Sequence, residues 1–195
     1  MALVDRVKNI LLTPKTEWDV IDAEPTTVAD LYKGYIIPLA AIGPVAQAIG
    51  SSVFGYTVPF IGSYRTPPGA AITGALVSYA LTLLGVYVLA LIIDALAPSF
   101  NGTRNQIQAL KVAAYSSTAS WLAGIFALIP GLRFLMILGV YSLYLLYLGL
   151  PVVMKAPKEK ALGYTALVIL AAIVLFMVIG LVAGMFVSAP GVFGR

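Results

Sequence analysis

Five stretches of this chain are too long and too apolar for the interior of a water-soluble domain. They cover about residues 34–54, 70–97, 109–129, 132–154 and 161–187, and each holds at most one charged residue. A helix needs roughly 20 apolar residues to cross the hydrocarbon core of a bilayer. Inside lipid every backbone polar group must be satisfied within the chain, which leaves helices as the natural form of such stretches. Charged residues make up 10% of the 195 residues, against roughly 25% in soluble domains. The chain lacks the charge to cover its own exterior, so lipid must be its main solvent. The expectation is an all-α membrane protein: a bundle of five transmembrane helices preceded by short cytoplasmic amphipathic helices.

The cations set the orientation. With five spans, one side receives Arg6, Lys8, Lys15, Lys33, Arg104, Lys111, Lys155, Lys158 and Lys160, and the other only Arg65, Arg133 and Arg195. Positive residues accumulate on the cytoplasmic side. The N-terminus is therefore expected in the cytoplasm of an inner (plasma) membrane protein, with 189–195 as a short non-cytoplasmic tail. The formal charge of +4 lies scattered between apolar blocks, which argues against nucleic acid. There is no Cys and no His, so disulfides, thiolate chemistry and the common zinc and haem ligands are ruled out. Asp5, Arg6 and Lys8 interrupt the first apolar run, so no cleaved signal peptide is expected.

Residues 1–30 carry six of the eight acidic residues and are too polar to cross. Leu3, Val7, Ile10 and Leu11 recur at helical spacing. Thr13-Pro14 reads as the cap and first residue of a second short helix, ended by Glu24-Pro25. This segment either rests on the protein's own cytoplasmic face or docks a partner, with Trp18 as a candidate contact. Thr27 to Asp30 and Thr103 to Gln106 read as capping boxes. Pro38 and Gly43-Pro44 predict a kink in the first span, and Gln47 should face protein. Residues 55–69 read as a loop with Tyr56, Phe60 and Tyr64 at headgroup level.

Candidate chemistry is sparse. Asp94 is the one acid within a span, either a proton or cation site or a residue near water at a helix end, with Arg104 or Lys111 as partner. Ser116 and Ser120, at i,i+4, share a face of the third span. Ala113, Ser117, Ser120 and Gly124 read as a small-residue seam. Tyr141, Tyr144 and Tyr147 read as a core tyrosine seam against that span, or as a ligand cage. Gly180 and Gly184 form GxxxG, a helix-packing motif. Lys155, Lys158 and Lys160 are candidate partner or lipid contacts. No phosphate loop, metal motif or nucleophile elbow is present, so neither enzymatic activity, nor a cofactor, nor a metal is expected.

Several stretches together resemble the Yip1 family in its bacterial branch: RVKNILLTPKTEWDVIDAEPTT, LYKGYIIPLAAIG, LIIDALAPSFNG, ALKVAAYSSTASWLAGIF and YSLYLLYLGLPVVMKAPKEKALGY. The resemblance implies five spans and a cytoplasmic N-terminus. Eukaryotic relatives bind prenylated Rab GTPases and carry Asp-Leu-Tyr-Gly-Pro near the first span. Here Asp30-Leu31-Tyr32 is followed by Lys33-Gly34, so the resemblance implies the fold and not Rab-type binding. Two functions follow. One is a non-enzymatic protein that organises or recruits partners at the cytoplasmic face: membrane lipids, a homo-oligomer or other membrane proteins. The alternative is a small transporter or permeation protein with Asp94 and the third-span hydroxyls lining a path.

Overall fold

The computed structural model describes residues 2–58 and 62–187. The expected tail 189–195 and Phe60 lie outside the described residues, as do the side chains of Tyr56 and Tyr64. Two short helices open the chain, α1 (Leu3–Leu12) and α2 (Pro14–Ala23). Pro14 takes the first helical position of α2, where its missing N–H costs nothing. Thr13 does not cap α2 with its side chain; its hydroxyl donates back to the Asn9 carbonyl, 3.1 Å away, at the end of α1. Thr27 caps the next helix as expected. It accepts from the Asp30 N–H at 3.1 Å, and its hydroxyl donates to the Asp30 carboxylate at 2.6 Å.

Helix α3 (Val28–Phe54) is irregular along its length. Pro38 offers no N–H to the Gly34 carbonyl. The turn before it, Tyr32–Ile36, widens so that the Ile37 N–H reaches the Tyr32 carbonyl. A second break falls at Ala41, between Pro38 and Pro44, and the Ile37 carbonyl there accepts from the Tyr79 hydroxyl at 3.0 Å. These are the kinks that the prolines predict. A two-stranded antiparallel ribbon follows, β1 (Tyr56–Val58) and β2 (Gly62–Tyr64), with Tyr56 opposite Tyr64. The loop expected over 55–69 is thus partly a hairpin.

Helix α4 (Pro68–Phe100) has 33 residues and rises about 50 Å, well beyond a hydrocarbon core of about 30 Å. Asn101, at φ 57°, turns the chain out of it. The Thr103 N–H is committed to the Met154 carbonyl at 2.8 Å, and the next helix, α5 (Gln106–Ser116), is capped by Asn105, whose side chain accepts from the Gln108 N–H. The cap therefore falls two residues later than the sequence pattern indicates.

The third apolar block is where the structure departs furthest from the sequence. It is two pieces, α5 and α6 (Thr118–Ala123), the latter tightening over Gly124–Leu128. Three consecutive hydroxyls bond back into the chain: Ser116 to the Val112 carbonyl at 2.6 Å, Ser117 to Ala113 at 2.7 Å and Thr118 to Tyr115 at 2.7 Å. Such back-bonding competes with the helical ladder and bends it. Helix α7 (Pro130–Val153) is wound tightly over Pro130–Val140 and relaxes to an α-helix from Tyr141. Helix α8 (Lys158–Val187) closes the described chain. Among the described residues four helices are long and apolar enough to cross a membrane: α3, α4, α7 and α8 over Lys158–Gly184.

The bundle is built around α5, whose residues from Ala109 to Ser116 are all buried. A helix surrounded on every side by protein reads as apolar all round, which is why this block resembles a lipid-facing span in sequence. Glycines allow α3 and α6 to cross backbone to backbone. A Cβ on Gly124 would lie 2.8 Å from the Gly43 Cα, and one on Gly50 would collide with the Ala127 carbonyl. Helix α8 lies at the edge and exposes Leu162, Leu170, Ile173 and Leu181.

Candidate functional site: the N-terminal hairpin and its seat

Helices α1 and α2 fold back over one end of the bundle. Trp18 is 0% exposed. Its ring meets Tyr115 edge-on at 6.4 Å and fills the space above Gly149, where a Cβ would come within 2.6 Å of the indole. Only glycine admits the ring there. Trp18 therefore holds the hairpin to α7, in place of the exposed partner contact that the sequence suggests. Leu3, Val7 and Leu11 pack on the same core, and Ile10 is fully buried.

Charge is buried in this seat. The Arg6 guanidinium, 4% exposed, donates to the carboxylates of Glu17 and Glu24. It also lies 5.5 Å from the centre of the Tyr115 ring, a cation–π distance. Tyr115 in turn meets Tyr35 at 4.5 Å, and the Tyr35 hydroxyl shares a 2.6 Å hydrogen bond with Thr118. A buried ion pair is not in itself stabilising, but removal of one partner strands the other, at about 3–5 kcal/mol.

The ends of the two short helices are capped by the bundle. The last carbonyls of a helix have no partner inside it. Lys111, buried in α5, donates to the carbonyls of Ile21 at 2.8 Å and Glu24 at 2.6 Å. The Gln108 amide donates to the Asp22 carbonyl at 3.1 Å and carboxylate at 3.0 Å, and Lys155 pairs with that carboxylate. The Tyr141 hydroxyl donates to the Leu11 carbonyl at 3.0 Å, at the end of α1. Arg6, Glu17 and Gln108 were not singled out in the sequence. The acidic density of residues 1–30 is a signal for Glu17 alone, and no local pattern marks Arg6 or Gln108.

The remaining candidates scatter. Asp94, near the end of α4, pairs with Arg104 at 3.5 Å; Lys111, the alternative partner, is engaged with α2. Ser116 spends its hydroxyl on its own helix. Ser120 donates to the Gly139 carbonyl at 3.0 Å and contacts the Ser142 hydroxyl at 2.9 Å. Ser116 is buried and Ser120 exposed, on either side of the break at Ser117. Tyr141 and Tyr144 meet at 5.5 Å, but Tyr144 and Tyr147 are 41% and 40% exposed. They do not form a seam against the third block, because three residues of α-helix turn 300° and each tyrosine drifts off the last. The tyrosine that does pack against that block is Tyr35 of α3, edge-on to the block's own Tyr115. A Cβ on Gly180 or Gly184 would meet no heavy atom within 4 Å. Lys158 and Lys160 are exposed.

An α-helical membrane bundle, clipped at one end by its own N-terminal hairpin, is the class that fold and seat define. The Yip1 domain matches residues 8–179, and the chain belongs to the Yip1 family. It is 25% identical over 167 residues to the protein named Inner membrane protein YohC in Escherichia coli strain K12, covering 84% of this chain and 86% of that one. The YohC protein of Escherichia coli O6:H1 strain CFT073 matches to the same extent. No solved structure matches the chain.

Proposed function

We propose that this protein is a non-enzymatic inner membrane protein of five crossings that organises protein or lipid partners at the cytoplasmic face, with its docked hairpin as the contact surface. The fifth crossing is residues 106–128, broken at Ser117 and packed among α3, α4 and α7. The observation that carries the reading is the burial of Trp18 over Gly149. It turns the hairpin from a tether into a fixed platform. Outward from that platform point Val4, Leu12 and Val20, all exposed, beside the exposed cations Lys15, Lys158 and Lys160. Exposed apolar residues rimmed by charge suit a partner surface, and the cations suit anionic headgroups at about 1 kcal/mol each.

Orientation rests on the cation bias. Residues 101–105 and 154–157 lie at the hairpin end, tied by the Thr103 bond to Met154 and the pairing of Lys155 with Asp22. The relative named an inner membrane protein supports the location. The permeation reading requires Asp94 and the Ser116/Ser120 face to converge. Asp94 instead pairs with Arg104, and both serines are engaged with backbone.

Two measurements test this. The chain has no Cys, so single labels report cleanly: Thr16→Cys should react with an impermeant maleimide only from the cytoplasm, and Thr66→Cys only from outside. Labelling of both from one side would end the five-crossing topology. Crosslinking in native membranes should then recover partners that Val4→Glu with Leu12→Glu abolishes while thermal stability is kept. If every partner survives that double variant, the platform reading fails.

A further inference from the structure

The eight acidic residues are Asp5, Glu17, Asp19, Asp22, Glu24, Asp30, Asp94 and Glu159. All lie in the hairpin or in segments close to that end of the bundle. Arg133, four residues into the chain after Ile129, sits toward the ribbon end and is half-buried. It lines a cleft of about 320 Å³ between α3, α4 and the start of α7, together with Gln47, Thr66, Gly74 and Ser78. Among the described residues Arg133 has no ion pair, and the side chains of Gln47, Thr66 and Ser78 make no hydrogen bond. Four donor-bearing side chains thus converge on the cleft, none of them held by an ion pair or a side-chain hydrogen bond among the described residues. Gln47 is exposed and Thr66, Ser78 and Arg133 are half-buried, so an anionic group from outside can reach all four and take the bonds their donors offer.

The α4 wall is made of small residues, Ala70, Ala71, Gly74 and Ala75. A small-residue seam ordinarily lets helices close on each other; here the space stays open. On both walls, neighbouring positions expose aliphatic side chains: Val45 and Ile49 on α3, Ile72 and Leu76 on α4. A cationic, donor-rich cleft flanked by lipid-facing aliphatics is complementary to a molecule with an anionic head and apolar tails. We infer that this cleft is a binding site for the phosphate of a membrane phospholipid, held by Arg133 with Gln47, Thr66 and Ser78, on the face opposite the hairpin. Guanidinium pairs with phosphate through two parallel hydrogen bonds, and the hydroxyls and amide supply the remaining donors. The site is independent of the hairpin platform.

The test uses full-length protein, delipidated in mild detergent and titrated in native mass spectrometry with phosphatidylglycerol, with diacylglycerol or with inorganic phosphate. Wild type should prefer phosphatidylglycerol over diacylglycerol by about tenfold or more, the factor of one charge-assisted contact. Arg133→Gln should erase that preference, Arg133→Lys should keep part of it, and Arg65→Gln, an exposed arginine outside the cleft, should leave it intact. Gly74→Leu, which fills the cleft with Arg133 in place, should also erase it. Equal binding of the two lipids by wild type, or a preference that survives Arg133→Gln or Gly74→Leu, overturns the proposal. Full competition by inorganic phosphate assigns the site to a soluble anion, and the lipid assignment then fails.

Discussion

At the hairpin end, Arg6 is held between Glu17 and Glu24, Lys111 lies on the last carbonyls of α2, and Lys155 is paired with Asp22. At the ribbon end, Arg65 and Arg133 have no ion pair among the described residues, and no acidic residue of the chain falls between Asp30 and Asp94 or between Asp94 and Glu159. Both ends carry cations near a membrane. One end engages Arg6, Lys111 and Lys155 internally and spends them on holding a short hairpin in place. The other leaves its charge to an anion from outside. The comparison separates cations that build the fold from cations that remain free to bind, a distinction invisible in a count of lysines and arginines.

The strongest way to break this contrast is to unseat the hairpin. Trp18→Ala removes the ring that fills the Gly149 notch and should cost about 3–5 kcal/mol, the range for deleting a buried aromatic. In detergent this appears as a lowered unfolding temperature and as rapid tryptic cleavage after Lys15. Wild-type cleavage rates in the variant would mean that the hairpin is held by something other than its tryptophan. Gly149→Leu reaches the same contact from the α7 side, by overpacking, and should cost about 1–3 kcal/mol.

A paired measurement sharpens the contrast. Lys111→Met strands the carbonyls of Ile21 and Glu24 and should lose about 1–3 kcal/mol, the cost of buried groups left unsatisfied. Arg133→Met, at the other end, removes no internal partner and should leave the unfolding temperature of delipidated protein unchanged or raised. Equal losses in the two would erase the difference between the ends. The smallest effect belongs to Asp94→Asn. Its partner Arg104 is mostly exposed, and such pairs contribute about 0.2–1 kcal/mol. A much larger loss would place Asp94 in the core of the capped end after all.

Much of the fold was legible in the sequence. Apolar blocks near residues 34–54, 70–97, 132–154 and 161–187 correspond to α3, α4, α7 and α8, and the Pro38 and Pro44 kinks appear where prolines remove N–H donors. The Thr27 cap was legible too, since it depends on a residue three positions away. The candidate site was less so. The i,i+4 spacing of Ser116 and Ser120 marks one face only of an unbroken helix, and the hydroxyls of Ser116, Ser117 and Thr118 bond back into the chain where that helix breaks. The spacing of Tyr141, Tyr144 and Tyr147 suggested a stack, but helical drift carries two of them to the surface.

From the sequence alone came membrane residence, helical form and the uneven spread of charge. These follow from transfer free energies and backbone hydrogen bonding summed over about 20 neighbouring residues, and such sums need no knowledge of distant contacts. Tertiary structure decided that Trp18 faces inward, that Lys111 caps α2 across nearly ninety residues of chain, and that Arg133 overlooks an open cleft. Each of these depends on which remote side chain arrives opposite, such as a glycine beneath an indole or a carbonyl beside an ammonium, and local pattern carries no record of that meeting.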